Sequence, residues 1–411
     1  MNSQSSIVIV GAGLAGASAA TALRSRGFDG AITLLGAESA LPYNRPPLSK
    51  GFLRGEKERD TVFVEGAEKY SEQRIDLVLG AGAIALDVEA HTVELSDGRQ
   101  ISYDRLLLAT GASARRSTLP GAELVGVHYL RTLDDSVALR DELASGKRRL
   151  VVLGAGWIGM EVAASARVLG NEVTVVHRGE APLAHALGMQ IGRFMAGVHI
   201  ANGADVRSNS EATRIIGDDG RVAAVDLGNG VTVPADLVVI AIGATPNVAL
   251  AVEAGLEVGD GILVDSALRT SSEHVFAAGD VASIEHPLRP FRVRNEHWSN
   301  AVATGTAAAD SLLGMPVIFD DIPSFVSSQF DITLGYSGFS RDLDGASVTY
   351  RGDPQSKEFM AFWHHDGIVV GSAYINTSGV SAMVQALIRS GGRVDPVLLS
   401  DDTRELSTVL A

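Results

Sequence analysis

The first apolar run of the chain is IVIV, residues 7–10. Four β-branched residues with no polar position between them are too few for a helix and apolar on both faces, so they predict a buried parallel strand. GAGLAG follows at 11–16, then the alanine-rich ASAATALRSRG at 17–27, whose composition predicts a helix closed by Gly27. AITLLGAE, residues 31–38, supplies a second strand, and together these make a βαβ unit.

The same order returns 143 residues on, as strand RLVVLG, turn GAGWIG, helix MEVAASARVLG and strand EVTVVHR. The two units share a plan without being a full repeat. Between them lie an extended stretch at 77–95, the hairpin-like VELSDGRQI and the strand YDRLLLATGA; ADLVVIAIGATPN closes the second unit. From about Ile322 short strands alternate with turns, as in FMAFWHHDGIVVGSAYI, and lead into a helical tail. The expected fold class is α/β, with two Rossmann-like dinucleotide-binding domains plus a C-terminal α+β domain. The expected boundaries are 1–112 with 247–321 for the first domain, 113–246 for the second and 322–411 for the third.

Each glycine of the first turn has a physical task. Gly11 permits the tight turn, Gly13 lets the backbone approach a pyrophosphate, and Gly16 lets the helix pack close to the strand. The helix N-terminus then offers free N–H groups and a partial positive charge. Glu38, 22 residues after Gly16, is the expected acceptor for ribose hydroxyls. Far down the chain, HVFAAGDVA ends a small-residue strand at Gly279 and Asp280, where a carboxylate can reach a polyol hydroxyl unobstructed.

Composition narrows the chemistry. With no cysteine among 411 residues, structural disulfides, thiolate zinc sites, cysteine-ligated iron-sulfur clusters and redox dithiols are all excluded from within the chain. A net charge of −15 disfavours nucleic acid as a partner. The uncharged stretch 7–23 has no basic residue before it and is broken by Gly11, Gly13 and Gly16, so no membrane partner is expected and the cytoplasm is the expected location. His364 and His365 are neighbours on a presumed strand, hence on opposite faces, and no metal site is expected.

The motifs GAGLAG, LPYNRPPLSK (41–50), LLLATGA (106–112), LRTLDD (130–135), VVLGAGWIGMEVA (151–163), IAIGATPN (240–247), FAAGDVA (276–282) and RNEHWSNA (294–301) occur in one order along nearly the whole chain. In them the chain resembles the FAD-dependent ferredoxin reductases that serve bacterial cytochrome P450s and ring-hydroxylating dioxygenases, within the glutathione-reductase-like superfamily. The resemblance implies FAD extended in the first domain. Its ADP half would lie on Gly11, Gly13, Ala15, Gly16 and Glu38, with Ala83 bordering the adenine, Arg131 meeting the phosphates and Asp280, beside Gly279, meeting the ribitol. Arg45, Thr110 and Gly111 join this set, Lys50 would sit by the flavin ring, and His297 and Trp298 would flank its pyrimidine end. NAD(P)H would bind on Gly154, Gly156, Ile158 and Gly159, with Gly243 nearby and its nicotinamide stacked on the flavin.

Hydride transfer between stacked rings requires orientation and polarisation from the protein rather than a nucleophile. Lys50 and Glu161 are the charged side chains expected at the stacking face, and the family pattern makes them an ion pair. Superfamily disulfide reductases carry redox cysteines where this chain has PYNRPPLSK, so electrons must leave for an acceptor outside the chain, expected to be a ferredoxin-type iron-sulfur protein.

Two features leave alternatives open. His177 stands where NADH-preferring relatives carry an acid; it and Arg178 favour NADPH on charge grounds, while family habit and Glu180 favour NADH. Family members often read PWFWSDQ at the start of the third domain, whereas this chain reads IPSFVSSQFD, with Ser324, Val326 and Ser328 at the departing positions. That departure keeps other acceptors in view, namely rubredoxin, a quinone or oxygen, as well as a redox signalling role like that of apoptosis-inducing-factor relatives. Arg289, Arg292 and Arg294 form a basic cluster that could dock an acidic ferredoxin. A monomer and a homodimer are both compatible with the chain.

Overall fold

The computed structural model describes residues 5–228 and 230–409. The chain divides into two compact units, one of Met1–Asn44, Arg59–Ser113 and Ala244–Pro323, the other of Arg45–Glu58, Ala114–Gly243 and Ser324–Ala411.

In the first unit β1 (Ser6–Val10) is the middle strand of a five-stranded parallel sheet. β2 (Ala31–Gly36) and Ile75–Leu79 lie on one side of it, Arg105–Leu108 and Val275–Ala277 on the other. Ile7, Val8 and Ile9 are successive and all buried, as a strand covered on both faces requires. α1 (Leu14–Ser25) crosses from β1 to β2, and its alanines let the helix Trp298–Leu312 come so near that a Cβ on Gly305 would stand 2.3 Å from the Ala15 carbonyl oxygen. An antiparallel meander of Ala83–Asp87, Thr92–Leu95 and Gln100–Ser102 is inserted before Arg105–Leu108.

The second unit repeats this plan. β3 (Arg149–Leu153) is the middle strand, with β4 (Glu172–Val176) and Asp205–Arg207 on one side and Leu237–Ile240 and Val127–His128 on the other, all parallel. α2 (Trp157–Val168) crosses between β3 and β4. A meander of Arg214–Asp218, Arg221–Asp226 and Thr232–Pro234 again precedes the returning parallel strand. The internal likeness therefore runs beyond the βαβ turns that the apolar pattern revealed.

The second unit also holds α3 (Ala184–Ala201), kinked at Gly188, and a five-stranded antiparallel sheet that begins with β5 (Ser324–Gln329). Leu187, Ile191 and Met195 of α3 share one core with Ile332, Leu334, Phe359 and Trp363 of that sheet. His364 is buried against Thr349, 2.9 Å from its hydroxyl, while His365 faces outward to the Asp342 carbonyl. Among the described residues no group of three or more His, Cys, Asp or Glu is placed to hold a metal, and no helix is long and apolar enough to cross a membrane.

The segment Arg45–Glu58, expected with residues 1–112, groups instead with the second unit. Its backbone is tied there by side chains: the Ser136 hydroxyl donates to the Leu48 carbonyl and the Ser165 hydroxyl to the Ser49 carbonyl, each at 2.7 Å. These three-dimensional ties outweigh its proximity in sequence to β2.

Candidate functional site: two dinucleotide cradles and a buried ion pair

The two glycine turns have the same geometry. Gly11 has φ +117° and Gly154 φ +109°, a left-handed backbone that suits glycine. A Cβ on Gly11 would stand 2.1 Å from the Ala109 carbonyl oxygen, and one on Gly154 would stand 2.2 Å from that of Ala241. Each turn thus leaves its middle strand where the next parallel strand on the opposite side also ends. This is the switch point at which open α/β sheets bind ligands.

At the third glycine, Gly16 or Gly159, a Cβ would strike the carbonyl of the first glycine at 2.1 or 2.2 Å. At the second, Gly13 or Gly156, nothing lies within 4 Å. Gly13 and Gly156 are also the N-caps of α1 and α2, and neither helix start is capped by a side chain. An open approach to backbone N–H groups at a positive helix end fits a pyrophosphate in both units.

The residues after the second strand differ. In the first unit the Tyr43 hydroxyl donates to Glu38 Oε2 at 2.7 Å, which holds the half-buried carboxylate in place. In the second, His177 is 8% exposed, shares a hydrogen bond of 3.0 Å with the Ser208 hydroxyl, and is pushed by burial below the ordinary imidazole range. Arg178 is exposed and paired with Glu211, and Glu180 is paired with Arg193. His177 is thus a buried side chain rather than a solvated one.

The remaining residues of the first unit form a hydrogen-bonded frame. Asn247 clamps the end of the Arg105–Leu108 strand: its amide donates to the Thr110 carbonyl and its own carbonyl accepts from the Thr110 hydroxyl, both at 2.8 Å, while its N–H donates to the Gly111 carbonyl at 2.9 Å. Gly279 donates its N–H to the Thr304 hydroxyl at 2.9 Å, and Asp280 beside it is buried. Trp298 donates its indole N–H to Asn44 at 2.7 Å, and burial lowers the His297 imidazole while Asp280 opposes the shift. Ala83 is half-buried in the first strand of the meander.

In the second unit, Arg45 donates to the Arg131 carbonyl. Gly243 has φ +103° with open space beside it, and Ile158 is 43% exposed.

Lys50 and Glu161 meet in the second unit, with Nζ 2.7 Å from Oε2. Glu161 is only 5% exposed, so it is not the helix-surface carboxylate that its place in the first turns of α2 allows. Three side chains donate to it: the Ser49 hydroxyl and Lys50 on Oε2, and the Ser327 hydroxyl on Oε1 at 2.7 Å. A buried carboxylate with this donor set is compensated on both oxygens. Ser49 and Ser327 were not singled out from sequence. The available signal was the alternation of β5, in which Ser327 and Gln329 are buried and Val326 and Ser328 exposed.

Arg292 and Arg294 are engaged within their own unit. Arg292 donates to the carbonyls of Val264 and Ser283, and Arg294, 14% exposed at its side chain, pairs with Asp260 and Glu296. They brace the turn around the short strand Arg292–Val293 rather than presenting an open basic face.

Two dinucleotide cradles in one chain without thiols define a class: an oxidoreductase that moves reducing equivalents between two nucleotide cofactors and onward to something else. The family described as pyridine nucleotide-disulphide oxidoreductase matches residues 5–305, and that described as reductase C-terminal matches 324–410. The rhodocoxin reductase of Rhodococcus erythropolis is 38% identical over 406 residues, covering 99% of this chain and 94% of that one. The anthranilate 1,2-dioxygenase system ferredoxin–NAD(+) reductase component of Burkholderia cepacia is 40% identical over 408 residues, 98% of each. Among solved structures, the covalent putidaredoxin reductase–putidaredoxin complex matches with a TM-score of 0.95 and 32% identity, covering 100% of this chain and 99% of that one. The chain belongs to the pyridine nucleotide-disulphide oxidoreductase family, whose cofactors are FAD and NAD(P)H.

Proposed function

We propose that this chain passes electrons from NAD(P)H through FAD to a ferredoxin-type iron-sulfur protein that supplies an oxygenase, either a cytochrome P450 or a ring-hydroxylating dioxygenase, in the cytoplasm. The observation that carries the reading is the matched pair of cradles at Gly11, Gly13, Gly16 and Gly154, Gly156, Gly159 in a chain with no cysteine. Two dinucleotide sites serve a transfer from one cofactor to the other, and without a thiol relay the electrons go to a separate protein. The names of the rhodocoxin and anthranilate-system relatives support a ferredoxin-type acceptor.

Bound FAD supplies the conversion of a two-electron hydride into the single electrons that an iron-sulfur centre accepts. The protein's own part is binding and polarisation. Residues 1–112 and 247–321 hold FAD, with Gly11, Gly13, Ala15 and Gly16 at the pyrophosphate, Glu38 at the ribose, Asp280 at the ribitol, and Ala83, Thr110, Gly111, Gly279, His297 and Trp298 around them; Arg45 and Arg131 add cations for the phosphates. Residues 113–246 hold the nicotinamide nucleotide on Gly154, Gly156, Ile158 and Gly159, with Gly243 beside them and His177 and Arg178 at its ribose. Lys50 is the cation that favours electron-rich flavin, and Glu161 holds Lys50.

A second reading rests on β5. The departing residues Ser324, Val326 and Ser328 all belong to one register of the strand, and Val326 is 61% exposed. An altered outer register favours an altered acceptor, such as rubredoxin or a quinone.

The test is purification with flavin analysis, followed by anaerobic reduction with NADH and NADPH and reoxidation by a panel of ferredoxins, a rubredoxin and a quinone. Rapid flavin reduction with transfer to a ferredoxin is the expected result. A colourless protein that FAD cannot reconstitute removes the proposal, and transfer only to rubredoxin or quinone selects the second reading. Size-exclusion chromatography separates monomer from homodimer.

A further inference from the structure

We infer that Ser327 is a positioning residue of the Lys50–Glu161 pair, aimed by a buried chain through Gln329 to His199; the inference rests on the proposed part of that pair in flavin reduction. Ser327, Gln329 and His199 are 3%, 2% and 0% exposed, so solvent satisfies none of their polar atoms. Gln329 Nε2 lies 3.1 Å from the Ser327 hydroxyl, and His199 Nε2 lies 2.8 Å from Gln329 Oε1. All of these residues lie in the second unit.

The donor inventory gives this chain one direction. A carboxylate only accepts, so the single hydroxyl proton of Ser327 goes to Glu161 Oε1. Ser327 then accepts, which turns the NH2 of Gln329 toward it and the amide oxygen of Gln329 toward His199. His199 completes the order by donating from Nε2–H, which leaves Nδ1 without a proton. Nδ1 is buried with no hydrogen-bond partner among the described residues, so a second proton on the ring has no acceptor to meet there. Burial also lowers the imidazole pKa, in keeping with a neutral ring. The order is therefore His199 to Gln329 to Ser327 to Glu161, each donating to the next.

The consequence follows from the donor set of Glu161. Oε2 has two donors, Ser49 and Lys50, but Ser327 is the one side chain that donates to Oε1 among the described residues. Removing its hydroxyl leaves a buried acceptor unmet and frees the carboxylate to rotate, and Lys50 loses the fixed partner that orients it. In β5 the buried register carries this chain and the exposed register carries the residues that depart from the family pattern. The strand can change its outer face without disturbing the inner relay.

The test uses the FAD-loaded protein in anaerobic stopped-flow reduction by NADH and NADPH. Ser327→Ala is expected to slow flavin reduction about tenfold, the effect of about 1.4 kcal/mol within the range for an unmet buried acceptor. FAD content and the nucleotide dissociation constant should stay within twofold of the parent. Ser327→Thr, which keeps the hydroxyl, is expected to restore most of the rate. Ser327→Ala combined with Glu161→Gln is expected to be no slower than Glu161→Gln alone, because both changes act through one carboxylate. Gln329→Met, which keeps Ser327, gives a smaller loss in the same direction and serves as the test if the alanine variant fails to fold. Parent-like rates in Ser327→Ala or Gln329→Met, alongside a slow Glu161→Gln, overturn the inference and leave the pair's proposed part standing. A parent-like rate in Glu161→Gln overturns that part itself.

Discussion

The two cradles have nearly superposable turns and dissimilar surroundings. Gly11 and Gly154 share their left-handed φ and their close approach to the carbonyls of Ala109 and Ala241. The strand registers also correspond, Val10 with Leu35 and Leu153 with Val176, so that Gly36 and His177 occupy the same next position. From there the units part. The first continues to a carboxylate braced by Tyr43, while the second buries an imidazole against Ser208 and leaves an arginine outside. On the proposed function this is a division of labour: the turn takes what all dinucleotides have in common, and the residues after the second strand take the ribose.

The sharpest way to break the comparison is to block each turn separately. Gly11→Ala is expected to abolish FAD retention, since its Cβ meets a backbone oxygen that cannot yield. Gly154→Ala is expected to leave the protein yellow but to slow its reduction by NAD(P)H about 100-fold, the scale of a displaced reactant. Absorbance spectra and stopped-flow traces distinguish these outcomes, and loss of flavin from both variants defeats the separation of tasks.

Next in size is Lys50→Met, which strands Glu161 with its serine donors alone. A loss of roughly 3 kcal/mol in denaturant unfolding is expected, as for a buried pair deprived of one member. Such a loss marks Glu161 as a buried charge that depends on Lys50.

The ribose contrast is sharpened by Arg178→Glu. This change is expected to lower kcat/KM for NADPH relative to NADH about tenfold, the scale of one charge-assisted hydrogen bond to a 2′-phosphate. An unchanged ratio places cofactor selection elsewhere.

The smallest effect concerns His199. Its pKa is lowered in the folded state by burial, with Gln329 opposing the shift, so the unfolded chain takes up its proton first as pH falls. Stability is full above about pH 6.5 and declines below it, by at most about 1.4 kcal/mol per pH unit for this one group. His199→Gln should flatten that part of the profile in denaturation curves at pH 7 and pH 5.5.

Much of this organisation could be read along the chain because its causes are local. A run of β-branched residues, a glycine at each position where a side chain would strike a carbonyl, and a small-residue helix are neighbours in sequence, so IVIVGAGLAG and LVVLGAGWIG announce both cradles. The antiparallel meander of the second unit was harder to see, since its strands are short and its place is defined only by the sheet around it.

The amino-acid order alone determined the fold class, the two glycine turns and the absence of thiols, because each depends on residue type or on contacts within one turn of chain. Folding decided the rest. Glu161 lies 111 residues from Lys50 and 166 from Ser327, and whether it faces water or a ring of donors depends on which strand closes over α2. Burial is a property of packing among distant segments, so the carboxylate that the family resemblance pairs with Lys50 became the buried acceptor of three side chains.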